Sequence, residues 1–559
     1  MRFRANRNIY KKGGIITLFI FVIAFLLRIY NINKYDLWFD ELSTSEAYFW
    51  HMYRSLPHSL ARFIGVVLIK LSGEVHSALY YFLVMISSIF TDGDRSLRLL
   101  SVAFSMAALI IFYRFCKMFL DKKERYCAVM LLAINPFHVW YAQEARVYAA
   151  SSFACILTVY LYMKAIKKSN RLYWVLFSIA AIFSLYLNFF SILLFLVLIF
   201  IALLEEDRRY LKKFFMVLIF IFAAFLPIIP VLIRQFNTLR SGFWILTPDI
   251  SSVILSFAVF GLGYSSNYIY HIVGVLLFFS LYSFGVYTYY KKNKKYTIIL
   301  VALLFIPIIL AYILSISILK VYIIKQLLIF SFFYYIFVAK GIMAINNLLY
   351  RLVIVTSVVL LSLASLNNYY SGFITPPLIN KKNPNICDDT LYIGVHKKKN
   401  YSSLLTNTLK YAQDNTPILA TDFQSEYMVR SFLWRHRPDK VSYLYSIFIP
   451  SLVDKYEASY LISSSGESKE ISHSKDLYLS YRNYYPRKHI FIKFQELLKF
   501  RFDNFFVVSS LWGEKDCYVY NSSPKVRQII FDNFKRIYIK ENDGVTVELY
   551  SNERIVGEK

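Results

Sequence analysis

Charge is scarce in this sequence, and acid scarcer than base: charged residues are 18% of the 559, with 35 Asp and Glu against 63 Lys and Arg. Hydrophobic residues make up 57% and the mean hydropathy is +0.46. That composition excludes an ordinary soluble domain and indicates a polytopic membrane protein. Asp and Glu are missing from the interiors of the long apolar runs. Transporters and flippases place ionisable side chains deep in the bundle, so their absence argues against that class. No inverted or other internal repeat is evident either. Only five cysteines are present. Cys116, Cys127 and Cys155 fall in or beside apolar runs, where packing is the plainest role; Cys387 and Cys517 could pair if the C-terminal region is exported. The net charge of +28 comes from short basic clusters between apolar runs. No recognisable nucleic-acid motif accompanies them, so a polyanionic partner is not required.

What is present in abundance is long apolar segments. A span needs about 20 apolar residues, and backbone in lipid must satisfy its own hydrogen bonds, so each run reads as a helix. Eleven qualify: 14–31, 98–119, 126–141, 148–166, 172–188, 190–204, 214–234, 268–290, 297–317, 327–346 and 349–367. The first follows Arg2, Arg4, Arg7, Lys11 and Lys12, but it is too long for a signal-peptide core and no small-residue cleavage site follows. The connectors DKKER (121–125), KKSNR (167–171), EEDRRYLKK (205–213) and KKNKK (291–295) then share a side with the N-terminus, which the excess of basic residues makes cytoplasmic. Residues 75–90 could be counted as another span, but that would reverse most later loops. The run is short and carries His76, Ser87 and Ser88, so it reads as an interfacial helix in a first external loop, 32–97.

Past residue 368 the composition changes. PPLINKKNPN (376–385) reads as a linker within 369–385, and short strand-like runs follow it: LYIGV (391–395), VSYLY (441–445), ASYLIS (458–463), FFVVSS (505–510) and GVTVELY (544–550). The expected architecture is an α-helical polytopic membrane module of about eleven transmembrane helices over 1–368 and an extracytoplasmic α/β domain over 386–559.

This threading puts two polar loops at one membrane face. LWFDELST (37–44) follows the first helix and carries Asp40 and Glu41; YAQEARVYA (141–149) follows the third and carries Gln143, Glu144 and Arg146. A carboxylate there can act as a general base or bind a divalent cation through oxygen. An arginine can hold a phosphate by a forked pair of hydrogen bonds. Solvated loop charges are the plain alternative, and spacing alone leaves all these readings open.

In order and spacing the motifs resemble the GT-C superfamily of polyprenyl-phosphate-dependent glycosyltransferases, in the bacterial branch related to protein O-mannosyltransferases and aminoarabinose transferase. LWFDELST resembles the Asp–Glu signature of that family, and NPFHVWYAQEARVYA (135–149) its second external loop. VHSALYYFL (75–83) and DRSLRLLSVAF (94–104) resemble two further segments, so the likeness extends over roughly the first 200 residues. Three departures stand out. Ser77 and Ala78 replace a proline pair, Asn188 in YLNFF (186–190) stands where relatives carry histidine, and Lys325 where they carry arginine.

The resemblance implies a GT-C-like fold and sugar transfer from a polyprenyl-phosphate donor to an acceptor at the outer face of a cell membrane, with inversion. It makes Asp40 the general base, with Glu41 beside it, and Arg146, Lys325 and Arg98 the partners of the donor phosphate. Glu41 and Glu144 could orient those groups or hold a metal, and a Mg or Mn ion between Asp40 and Glu144 stays open. Trp244 and His76 are candidates for the acceptor pocket, with Pro248 beside Trp244 in SGFWILTPD (241–249). The plain readings are that Arg98 snorkels at an interface, that Trp38, Phe39 and Trp140 form an interfacial belt, and that Lys320 is an anchor. A flippase or transporter is the rival class; a membrane anchor for the C-terminal domain leaves the two acidic loops unexplained.

Overall fold

In a computed structural model the described residues are 2–38, 40–42, 44, 78–88, 94–168, 170–205, 208–240, 247–264, 268–371 and 401–409, together with 428–429, 432 and the strands given below. The linker, His76, Trp244, Phe39, Cys387 and Cys517 lie outside them. They fall in two compact units. One is Met1–Ile32, Lys70–Ile379 and Thr390–Lys397; the other is Asn33–Ile69, Asn380–Asp389 and Lys398–Lys559.

The first unit is helical. In chain order it contains α1 (Arg2–Ile29), α2 (Ala78–Ser88), α3 (Asp94–Cys116), α4 (Lys122–Ile134), α5 (Pro136–Ala142), α6 (Tyr148–Lys168), α7 (Arg171–Leu187) and α8 (Ile192–Leu203). It continues with α9 (Arg208–Phe225), α10 (Ile229–Arg240), α11 (Ile250–Leu262), α12 (Tyr268–Lys292), α13 (Lys294–Ser317), α14 (Ile324–Leu327), α15 (Phe332–Ala344) and α16 (Leu348–Ser371). Among the described residues six helices are long and apolar enough to cross a membrane unaided, or up to 7 if the bent pair Ile324–Phe330 and Phe332–Ala344 is one span. Each of the eleven expected runs lies on helix, several of them shorter or broken.

Polar connectors start the helices. The Asp121 side chain takes the amides of Lys123 and Glu124 while Glu124 returns to the Asp121 amide, a reciprocal cap that opens α4. Asn170, Asp249 and Asn293 cap α7, α11 and α13. At that end of α4, Lys340 of α15 sits 2.8 Å from each Glu124 carboxylate oxygen, and its ammonium lies 4.4 Å from the centre of the Tyr289 ring. α12 and α15 touch backbone to backbone: a Cβ on Gly285 would lie 1.9 Å from the Phe337 carbonyl oxygen, and one on Gly341 2.0 Å from that of Leu281.

Two of the differences from the expected helices arise at proline or short length. The run 126–141 is not one helix. Pro136 has no amide to bond the Leu132 carbonyl, so the chain breaks at Asn135 and restarts as α5 with the proline in its first turn. The second is α11, absent from the expected set because 13 residues are too few to span. It is an apolar helix whose far half is buried, and it packs on α5.

The second unit holds a mixed sheet and the helix α17 (Ser402–Leu409). The strands are β1 (Ile418–Ala420), β2 (Leu444–Phe448), β3 (Tyr460–Ile462), β4 (Ser468–Glu470), β5 (Ile490–Lys493), β6 (Asn504–Ser510), β7 (Phe534–Asn542) and β8 (Val545–Arg554). Six of them run in the order β5-β2-β1-β6-β8-β7, while β3 and β4 form a separate pair. The β5, β2, β1 and β6 pairings are parallel; β8 runs antiparallel to both β6 and β7. Parallel neighbours need crossover connections, which agrees with the expected α/β class. Phe505 and Tyr550 stack across β6 and β8 with ring centres 5.6 Å apart, and α17 packs on the β7–β8 pair.

Candidate active site

In the helical unit the second motif loop is built at the break between α4 and α5. The carbonyls left over at the end of α4 are met by Arg28 of α1, whose guanidinium donates to the oxygens of Ala133 (2.9 Å) and Leu132 (3.5 Å) as well as Ala24. Its Nε donates to Ser105 Oγ at 2.8 Å. Asn135 faces the other way, its amide donating to the Phe260 and Gly261 carbonyls that end α11. Gly263 then turns the chain with φ of 71°, and a Cβ there would lie 2.9 Å from Pro136 Cβ.

Residues 143–147 are buried, which removes the reading of them as solvated loop charges. Gln143 is a clamp. Its amide nitrogen donates to the Leu27, Arg28 and Tyr30 carbonyls at the end of α1, at 3.3, 3.0 and 2.8 Å, and its oxygen accepts from Tyr369 of α16 at 2.7 Å. Glu144 Oε1 accepts from Trp140 Nε1 at 2.8 Å, so Trp140 is buried within the loop and not part of an interfacial belt. Tyr141 and Tyr264 join hydroxyls at 2.8 Å. Burial pushes the Tyr264 phenol well above its usual value, against the opposing hydrogen bond from Tyr141, and the Glu144 charge adds to the rise. The hydroxyl therefore stays protonated at neutral pH.

The two leading candidate cations are both buried. Arg146, 4% exposed, lies two positions before Tyr148, and its carbonyl oxygen is 3.5 Å from Ser101 Oγ of α3. Lys325 of α14, 6% exposed, holds its ammonium 5.5 Å from the centre of the Tyr148 ring. Asn188 fixes the Lys325 segment: its amide donates to Gln326 Oε1 at 2.8 Å, and its oxygen accepts from the Phe190 amide. Asn188 is thus a bracket. Arg98 is buried and donates to the Ile32 carbonyl at 2.7 Å, which makes it a clamp on the end of the first helical segment and not a snorkelling surface arginine. Lys320 is exposed, as an anchor would be, and Pro248 is buried.

Asp40 and Glu41 belong to the other unit. Residues 38–42 form a helical turn in which the Leu42 amide bonds the Trp38 carbonyl at 2.9 Å. Glu41 is fully buried and its Oε2 accepts the Trp38 amide at 3.3 Å. Asp40 is half-buried, and its carbonyl accepts from Thr44 Oγ1 at 3.4 Å. The adjacent acids are therefore unlike: Glu41 caps the turn from inside and Asp40 keeps surface access. Among the described residues no three His, Cys, Asp or Glu side chains converge on a point that could hold a metal. Asp40 and Glu144 belong to different units. Arg28, Ser105, Tyr264 and Gln326 were not picked out from the sequence. Arg28 carried a visible signal, a cation at the end of an apolar run; the others carried none.

A family model described as dolichyl-phosphate-mannose-protein mannosyltransferase matches residues 77–233. Among solved structures, ArnT from Cupriavidus metallidurans in the apo state superposes with a TM-score of 0.57 at 10% identity, covering 98% of both chains. The same protein bound to undecaprenyl phosphate gives 0.56 at 10% identity over 95% of this chain and 97% of that one. The fold is the GT-C fold. The family model agrees over residues 77–233 with the likeness to mannosyltransferases that the motifs indicate, and the ArnT superposition agrees with it in fold. No curated protein sequence matches. In the GT-C fold of this chain the family-model match includes the α4–α5 break, the Gln143 clamp, Arg146 and Asn188; Lys325 and the acidic turn lie outside it.

Proposed function

We propose that the protein is a membrane glycosyltransferase that moves a sugar from a polyprenyl-phosphate donor to an acceptor at the outer membrane face, inverting the anomeric carbon. The observation that carries this reading is the burial of two cations, Arg146 and Lys325, the latter with its ammonium by the Tyr148 ring, in a chain with the GT-C fold. Preorganised positive charge is most effective in a dry site, at the point where negative charge develops. In this reaction that point is the departing phosphate. The acceptor oxygen forms a bond to the anomeric carbon, the bond from that carbon to the phosphate oxygen breaks with its electron pair, and Asp40 takes the acceptor proton. Glu41 keeps the Asp40 turn in shape, while Gln143 and Glu144 hold the loop that carries Arg146. Arg98, the third candidate for the donor phosphate, also grips the Ile32 carbonyl through one guanidinium nitrogen. The undecaprenyl phosphate of the ArnT complex gives the chemistry of the donor lipid to try first.

The deciding experiment incubates purified protein with a panel of polyprenyl-phosphate sugars and follows free polyprenyl phosphate. Release with one or more sugars is expected. A flippase would instead carry the intact donor across a vesicle bilayer and release none.

Orientation follows from the basic connectors. A cysteine introduced at position 293 in intact cells is expected to resist an impermeant thiol reagent, and one at position 400 to react. The reverse pattern would place the chemistry on the cytoplasmic side.

A further inference from the structure

The segment that carries Asp40 is tied to the C-terminal domain. Asp36 Oδ2 accepts the backbone amides of Tyr401 and Ser402, at 2.6 and 2.7 Å. These donors stand at the start of α17, where a helix leaves its first amides unsatisfied and presents its positive end. An aspartate from a remote part of the chain thus caps the helix. The Tyr401 hydroxyl donates to the Leu37 carbonyl at 3.1 Å, and the tyrosine is 3% exposed. Leu37, Trp38 and Leu42 are buried alongside Glu41. The domain supplies three hydrogen bonds to this segment.

We infer that Asp36 and Tyr401 are positioning residues for Asp40, so that the C-terminal domain is a working part of the site. This rests on the reading of Asp40 as base. The argument is geometric. Asp40 follows Asp36 by four residues, and the Trp38–Leu42 bond and the Glu41 cap stiffen the stretch just after Leu37. A shift at Asp36 or Leu37 is therefore passed to the Asp40 carboxylate, not absorbed. General-base catalysis falls steeply with such shifts, about a hundredfold for roughly 1 Å. α17 itself rests on β7 and β8, so the strap is backed by the antiparallel part of the sheet.

The test uses the full-length protein. Asp36→Ala removes both amide bonds, Asp36→Asn keeps an acceptor oxygen for the cap, and Tyr401→Phe removes only the hydroxyl bond. Asp36→Ala is expected to lower kcat by about tenfold to a hundredfold with donor KM within about twofold, and Asp36→Asn to recover most of the loss. Tyr401→Phe should fall between. Backbone amides of residues 37–44 should exchange faster with deuterium in Asp36→Ala, whether or not turnover is measured. Unchanged exchange there would overturn the inference. So would a loss of kcat in Asp36→Ala that tracks the melting temperature and that Asp36→Asn does not restore. Failure of the underlying reading looks different: Asp40→Asn would then turn over normally, and the exchange result alone would say whether the domain holds the turn.

Discussion

Asp40→Asn is expected to lower turnover by about a hundred- to ten-thousand-fold, the usual cost of losing a general base. The substitution keeps the shape of the side chain and removes only its ability to take a proton. Asp40 contributes its carbonyl, not its carboxylate, to the bond with Thr44, so the turn should persist and donor binding should survive. Glu41 makes a sharp control. Its carboxylate oxygen accepts the Trp38 amide within the turn, a bond that glutamine can also make. Glu41→Gln should therefore be mild, while Glu41→Ala empties a fully buried position and should be severe through folding. If Asp40 and Glu144 instead share a divalent cation, a chelator will abolish activity in the wild type; a bare base is indifferent to it. Initial rates for the four proteins, each with a melting temperature, separate these cases. Wild-type turnover in a folded Asp40→Asn would remove Asp40 from the chemistry.

The helices were legible because burial in lipid writes itself as length. A run of about 20 apolar residues has few alternatives, so the eleven runs all fall on helix. The same criterion is blind to α11, which is short because it is packed against protein at α5 and so need not reach across the membrane. The break inside 126–141 was visible in principle. Asn135–Pro136 is a helix stop followed by a helix start, and the continuous apolar pattern on both sides conceals it.

The site divides in the same way. Arg146, Lys325, Asp40 and Glu41 could be picked as candidates because they stand in segments that resemble the motifs of a known family. Which of two adjacent acids faces inward could not, since that depends on the Trp38 amide and on burial in a unit whose other members lie more than three hundred residues away. Boundaries read along the chain also hide that grouping, in which residues 33–44 go with the C-terminal strands. Trp140 shows the opposite error. An aromatic residue near a membrane face suggests a belt, yet its indole N–H is spent on Glu144.

Replacing Arg146 should weaken the donor site by an amount that depends on what is kept. A hydrogen bond to a charged group contributes about 1.5–3 kcal/mol, or roughly ten- to a hundredfold in affinity or rate. Arg146→Ala should lose at least that much in kcat/KM for the donor. Arg146→Lys keeps the charge and loses the fork, so it should recover only part. Lys325, whose ammonium lies 5.5 Å from the centre of the Tyr148 ring, tests the same proposed anion. Lys325→Ala should cost a similar amount, and Lys325→Arg, which restores the residue the family carries, should hold wild-type activity or exceed it. On the reading that both cations hold one phosphate, their effects should not add, and the double alanine variant should lose less than the product of the single losses. Kinetics against donor concentration, with melting temperatures to exclude misfolding, measure this. Additive losses would mean the two cations act on different atoms, and normal turnover in both single variants would move the phosphate site elsewhere in the fold.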